Sequence, residues 1–152
     1  MEHEVPEGFI PFPPRSGFVD QSGPYYFHAG ADPFLARDGA PVTFGFLTDQ
    51  RHVNPAGMVH GGALLTFADT VMGATVFHTV GRNCATITLN SEFVSAALPG
   101  RWIEAKVTLT RITRTLAFVK SELRSGEHIL LNASGVWKVF EATARERPGP
   151  AV

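Results

Sequence analysis

His60-Gly61-Gly62-Ala63-Leu64-Leu65-Thr66-Phe67-Ala68-Asp69-Thr70-Val71-Met72-Gly73-Ala74-Thr75-Val76-Phe77 is the most apolar stretch of the 152-residue chain. Two glycines open it, and residues 62–77 carry apolar side chains on nearly every side of a helical wheel. A helix with that pattern is enclosed by other structure instead of lying half exposed on a surface. The stretch therefore predicts a helix at the middle of the fold. Residues 61–80 also reach membrane-spanning length, but Thr66, Asp69, Thr70, Thr75 and His78 interrupt them where lipid makes polar groups costly. A buried helix of a soluble domain fits better.

Upstream, Val42–Leu47 is a short apolar run that predicts a strand, followed by the turn-forming Asn54-Pro55-Ala56-Gly57. Downstream of Gly81 the pattern changes to strands over residues 85–94, 102–112, 116–124 and 129–140. Ile103, Ala105, Val107 and Leu109 alternate with polar residues, as in a half-buried strand, and Ser125-Gly126-Glu127-His128 is a hairpin-like link. One early strand, one long helix and a run of antiparallel strands make an α+β plan in which a sheet covers a single helix.

The first forty residues hold Pro6, Pro11, Pro13, Pro14, Pro24 and Pro33, which prevent a long helix. Phe9, Phe12, Phe18, Tyr25, Tyr26 and Phe27 lie among them, and a disordered tail is normally poor in aromatics. Residues 1–40 are thus expected to be a lead-in packed onto the domain, with one short helix near Phe9. Residues 41–142 form the domain, and residues 143–152 a polar, proline-containing tail.

Thirteen basic against fourteen acidic residues give a formal net charge of -1, which favours neither nucleic acid nor an anionic membrane as partner. Cys84 is the only cysteine, so neither an internal disulfide nor a cysteine-based zinc site is expected. Residues 1–14 lack the basic start and apolar run of a secretory signal. A cytoplasmic location is expected.

Asp69 is the only acidic residue between Asp49 and Glu92, and it stands inside the apolar helix. Burying a carboxylate costs several kcal/mol unless it is paired, hydrogen-bonded or protonated. It is either a structural hydrogen-bonding group or a functional acid. Gly61 and Gly62 fall in the first turn, where backbone N–H groups are unpaired and the helix dipole is positive. Without side chains they admit a ligand carbonyl to the backbone, so an oxyanion has a place there; paired glycines also serve plain close packing. Asn54 and His60 bracket the loop. Each has a simpler role beside a functional one, turn capping for Asn54 and helix entry for His60.

His52-Val53-Asn54-Pro55-Ala56-Gly57-Met58-Val59-His60-Gly61-Gly62, followed by Asp69, resembles the signature of hotdog-fold acyl-coenzyme A thioesterases of the phenylacetic-acid-degradation type. The resemblance covers residues 42–140 and touches the first forty only loosely. It implies a long helix wrapped by a curved antiparallel sheet, with subunits pairing into a homodimer or homotetramer and active sites at the dimer interface. It further implies that the Gly61 amide meets the thioester oxygen and that Asp69 is nucleophile or general base. Asn54 and His60 would position them, and Asp69 would face Gly61 of the other subunit. Thr86 aligns with a hydroxyl that in some relatives helps hold the attacking water.

Gly62, Thr86, Arg111 and Arg114 are the candidate substrate-binding residues, the two arginines for coenzyme A phosphates if they are not merely solvated. Phe67, Met72, Phe77 and Phe93 are candidates for an acyl slot, or else plain core. Thioester hydrolysis by such a set requires no metal or organic cofactor, coenzyme A being part of the substrate. Two alternatives stay open: a non-catalytic acyl-coenzyme A sensor, and a hotdog hydratase, whose Asp/His spacing is not found here.

Overall fold

The computed structural model describes residues 4–15, 17–29 and 40–142. Seven strands and two helices follow one another as β1 (Phe9–Pro11), α1 (Phe18–Ser22), β2 (Tyr25–His28), β3 (Val42–Leu47), α2 (Gly61–Val80), β4 (Cys84–Phe93), β5 (Trp102–Ile112), β6 (Leu116–Ser125) and β7 (His128–Val139). All strands join one antiparallel sheet in the order β1-β2-β3-β5-β6-β7-β4. The α+β plan holds, and the sheet wraps the long helix as a hotdog fold requires.

The central helix starts where the glycines begin and stops where a glycine allows it. The His60 side chain caps the first turn by accepting the Gly62 N–H at 2.8 Å. At the other end Gly81 takes the left-handed conformation, φ 66°, and its N–H closes on the Phe77 carbonyl. By length and composition α2 would pass as a membrane span. Its Leu64, Phe67, Val71, Met72 and Val76, however, are buried in the core cluster with Phe44, Ile103, Val107, Leu123 and Trp137 of the sheet. Each such side chain contributes about 1.5–3 kcal/mol through burial. Strand alternation sets the opposite wall: Ile103, Ala105 and Val107 face the helix, and Glu104 and Lys106 face outward.

The lead-in is part of the sheet. Near Phe9, where a short helix was expected, lies strand β1. Prolines remove ladder donors, and a three-residue edge strand carrying Pro11 tolerates that loss. The short helix comes instead at Phe18–Ser22, inside the proline-free run between Pro14 and Pro24. Phe18 stays 67% exposed, but the other aromatics do pack down, on both faces of the sheet. Phe9 and Tyr26 meet Trp102 on the outside, with ring centroids 4.8 and 5.3 Å apart. Tyr25 meets Phe46 and Phe67 on the inside, at 4.9 and 5.1 Å. Gly45 makes room for the outer cluster, since a Cβ there would stand 2.1 Å from the Trp102 ring. Pro33 and the tail from residue 143 lie outside the described residues.

One irregularity bears on the site. Along β4, Thr86 pairs with Trp137 and Thr88 with Val136, so Ile87 is an extra residue in a β-bulge. Before the bulge the even positions Cys84 and Thr86 turn toward α2. After it the odd positions Leu89 and Phe93 do.

Candidate active site

Asp69 is half-buried, not sunk in the core as its apolar context had suggested. It sits on the side of α2 that the sheet leaves open, and its Oδ1 accepts the Thr86 hydroxyl at 2.7 Å. The desolvation cost of a deeply buried carboxylate therefore does not arise, and Oδ2 faces away from that bond. Thr86 reaches the carboxylate because it precedes the bulge.

The loop before α2 is held by its own residues. Asn54 Oδ1 accepts the N–H groups of Ala56 and Met58, at 2.9 and 3.2 Å, fixing the turn that contains Gly57 at φ 80°. An isolated bridge between Val53 and Val59 closes the loop, and Val59 N–H bonds the Ala97 carbonyl. His60 Nδ1 is occupied by Gly62 N–H, which puts the neutral ring's proton on Nε2, on an exposed side chain. The Gly62 amide is thus engaged inside the protein, whereas Gly61 N–H makes no hydrogen bond among the described residues. The Phe93 ring lies across Gly61: a Cβ on that glycine would stand 3.0 Å from Phe93 Cε1.

A cavity of about 360 Å³ opens beside Asp69. Thr70, Gly73, Ala74 and Phe77 line it from α2, Ala85 and Thr86 from β4, with Trp137 at its floor. Phe12, Pro13 and Val19 of the lead-in close one side. Of the four slot candidates, Phe77 lines this cavity and Phe93 covers Gly61, whereas Phe67 and Met72 are fully buried core. Arg111 stands exposed beside a bulge of β5. Arg114 lies in the turn before β6 and its carbonyl accepts from Arg82. Neither arginine lines the cavity. Sequence reasoning missed Arg15, His78 and Cys84, which do line it. His78 was legible as the helix's one late polar ring, but only the folded lead-in brings Arg15 to it.

Cys84 Sγ donates to the Gly73 carbonyl at 3.6 Å, and burial, followed by the charge of Asp69, pushes its thiol pKa above the ordinary value. Burial and then the charge of Arg15 hold the His78 imidazole below its usual range. A larger cavity, about 750 Å³, lies on the outer face of the sheet around Trp102, Lys106 and Arg124. Among the described residues its two carboxylates are taken up, Glu104 by the Trp102 indole N–H and Glu122 by Arg124, and neither Asp69 nor Thr86 lines it.

Comparison with known proteins agrees with this geometry. The family model described as thioesterase superfamily matches residues 56–131, from the loop through the hairpin of β6 and β7. A Pseudomonas aeruginosa protein named "Putative esterase PA0474" is 30% identical over 135 residues, covering 88% of this chain and 96% of its own. The E. coli PaaI protein of the phenylacetic acid degradation operon superposes with a TM-score of 0.64 at 14% identity, over 68% of this chain and 75% of that one. A hypothetical thioesterase protein of Streptococcus pneumoniae TIGR4, solved with coenzyme A, gives 0.63 at 19% identity, over 67% and 80%. With the helix wrapped by its sheet and a carboxylate set beside an open cavity, the chain belongs to the thioesterase superfamily, the hotdog-fold thioester hydrolases.

Proposed function

We propose that this protein hydrolyses acyl-coenzyme A thioesters to a free acid and coenzyme A, with Asp69 as the catalytic carboxylate and the Gly61 amide as oxyanion donor. The observation that carries the proposal is the contrast within the first turn: Gly62 N–H is capped by His60 while no described residue accepts from Gly61 N–H. An unspent amide at the positive end of a twenty-residue helix stabilises a developing oxyanion well. The Streptococcus protein solved with coenzyme A supports the choice of thioester.

Gly61 and Asp69 are eight residues apart on one helix, which separates them by about 12 Å along its axis. A single thioester must meet donor and nucleophile within about 3 Å of each. The working site therefore takes Gly61 from one copy of the chain and Asp69 from a second. The outer edge of β4 is the surface for that pairing: ten residues long, unpaired on one side among the described residues, and flanked by exposed Ile87, Phe93 and Val94. An edge of that length is normally covered, and two-fold pairing of β4 with its copy covers it, giving a homodimer or a homotetramer built from two such dimers.

Within the site, Asp69 either attacks the thioester carbon, forming an acyl–aspartyl anhydride that water then hydrolyses, or takes a proton from a water that attacks. In both courses the carbon–sulfur bond breaks and coenzyme A leaves with its sulfur. The Thr86 hydroxyl holds Oδ1, and the side chains of Asn54 and His60 hold the loop that presents Gly61. Arg111 and Arg114 are the proposed contacts to coenzyme A phosphates. No cofactor is required, and a reducing cytoplasm suits the free thiol of Cys84.

The test is release of free thiol from a panel of aryl-, short- and medium-chain acyl-coenzyme A substrates by wild type and Asp69→Asn. Wild type is expected to release coenzyme A, and the folded variant to fall by at least about a hundredfold. Binding without cleavage would mean a sensor, and an intact thioester carrying added water would mean a hydratase.

A further inference from the structure

We infer that the cavity beside Asp69 is an acyl slot shaped for an acyl group with an apolar middle and a carboxylate at its far end, recognised by Arg15. This rests on the hydrolase reading and names the substrate class of the same site.

The slot follows the open side of α2. Its ends on the helix, Asp69 and His78, are nine residues or about 13 Å apart, enough for a medium-length or aryl acyl group. Between them the walls are Gly73, Ala74, Phe77 and Ala85, with Phe12 and Val19 opposite. Such walls suit hydrocarbon, not the amide-rich pantetheine arm.

The polar groups at the far end point to an anion. Among the described residues Asp69 is the only carboxylate lining the cavity, and it is committed to the reacting carbon. Arg15 lines the far end, close enough to His78 for its charge to act on the imidazole. Its guanidinium makes no ion pair or hydrogen bond among the described residues. The carboxylate of Asp20 accepts the Arg15 backbone N–H, at 3.2 and 3.0 Å, which leaves the guanidinium group itself unanswered. At the floor the Trp137 side chain is 1% exposed, and its indole N–H finds no acceptor among the described residues. Gly73 keeps the space above that N–H clear, since a Cβ there would stand 3.3 Å from Nε1. A guanidinium and a donor without matching acceptors fit a ligand that brings the acceptors. Arg15 comes from the lead-in, outside the residues that the family model matches, so this preference belongs to the chain and not to the fold.

The experiment compares kcat/KM for pairs of coenzyme A thioesters of equal length, one ending in a methyl or phenyl group and one in a carboxylate. Wild type and Arg15→Gln are measured, and each pair is repeated on dephospho-coenzyme A and on pantetheine. Wild type is expected to prefer the carboxylate-ended partner, and Arg15→Gln to lower that ratio by about ten- to a hundredfold. Gly73→Ala, which crowds the Trp137 N–H, is expected to cut long acyl groups more than acetyl. A ratio unchanged by Arg15→Gln overturns the inference while leaving the hydrolase intact. An Arg15→Gln effect equal for both acyl ends and absent on pantetheine thioesters also overturns it, by assigning Arg15 to a coenzyme phosphate. Failure of wild type to cleave any thioester would sink the hydrolase reading itself, a separate result.

Discussion

Thr86 and Asp69, seventeen residues apart in the chain, meet at 2.7 Å, the hydroxyl on β4 donating to the carboxylate on α2. That bond fixes the rotamer of the acid beside the cavity. Thr86→Val keeps the branched shape and removes the donor. It is expected to lower kcat about tenfold with little change in KM, because it loosens the carboxylate without altering the walls of the slot. Thr86→Ser should recover most of the loss in the same steady-state assay.

His60 offers a way to separate capping from catalysis. His60→Ala removes the acceptor for Gly62 N–H and should cost about 1 kcal/mol in a urea titration. His60→Asn restores an acceptor at the cap and should recover that stability. If activity returns with stability, the ring acts through the helix end; if it stays low, the exposed Nε2 takes part in the reaction.

Gly61→Pro tests the open amide directly. Proline is tolerated in the first turn of a helix, and the preceding His60, at φ -63° and ψ 134°, already has the extended backbone that proline demands of its neighbour. The substitution deletes the N–H, and the half-exposed Phe93 ring must shift to admit the new side chain. kcat is expected to fall about a hundred- to a thousandfold, with circular dichroism still reporting the folded helix.

Two inactive variants should repair each other. Asp69→Asn and Gly61→Pro, unfolded and refolded together, form mixed pairs in which one site holds both an intact Asp69 and an intact Gly61. Random pairing returns up to about a quarter of wild-type activity. No recovery, in a sample shown to contain mixed pairs, would mean that a site is completed within one chain.

The thiol of Cys84 reports on the charge next to it. Burial first, and Asp69 second, raise its pKa, so the thiolate fraction at pH 8 lies below that of an ordinary cysteine. Alkylation by iodoacetamide should be slow in the native protein and fast in denaturant. Asp69→Asn removes the second cause and should quicken native labelling, a result readable by mass spectrometry.

Much of this architecture was legible in the sequence. The alternation of Ile103, Ala105 and Val107 and the glycines at 81, 100 and 126 delimited the later strands to within a residue or so of their ends. The surplus of apolar residues around Asp69 marked α2 as central. Less was legible where long-range contacts decide the outcome. Tyr25–His28 is a strand because β3 offers it an edge, Phe9–Pro11 because β2 offers the next one, and Trp102 is a platform for both, none of which is written in their local sequence. Asp69 looked buried because its neighbours in the chain are apolar, yet its neighbours in space include Thr86 and a cavity. The motif located the site. Arg15 escaped notice because it joins the site only after the lead-in has folded against α2.

The extra residue at Ile87 marks a place where β4 can lose a residue without losing its register. Ile87 is 54% exposed, so replacing it by threonine or alanine costs little. Removing it would close the bulge without changing register, because Thr86, Thr88 and Leu89 already oppose Trp137, Val136 and Gly135 in turn, so Thr86 would stay beside Asp69, Leu89 in the core and Phe93 over Gly61. A single-codon deletion there would therefore take out the kink alone, whereas the same deletion at Asn90, in the regular part of the strand, would turn Phe93 to the other face and strip the cover from the amide that is meant to work with the acid of the next subunit.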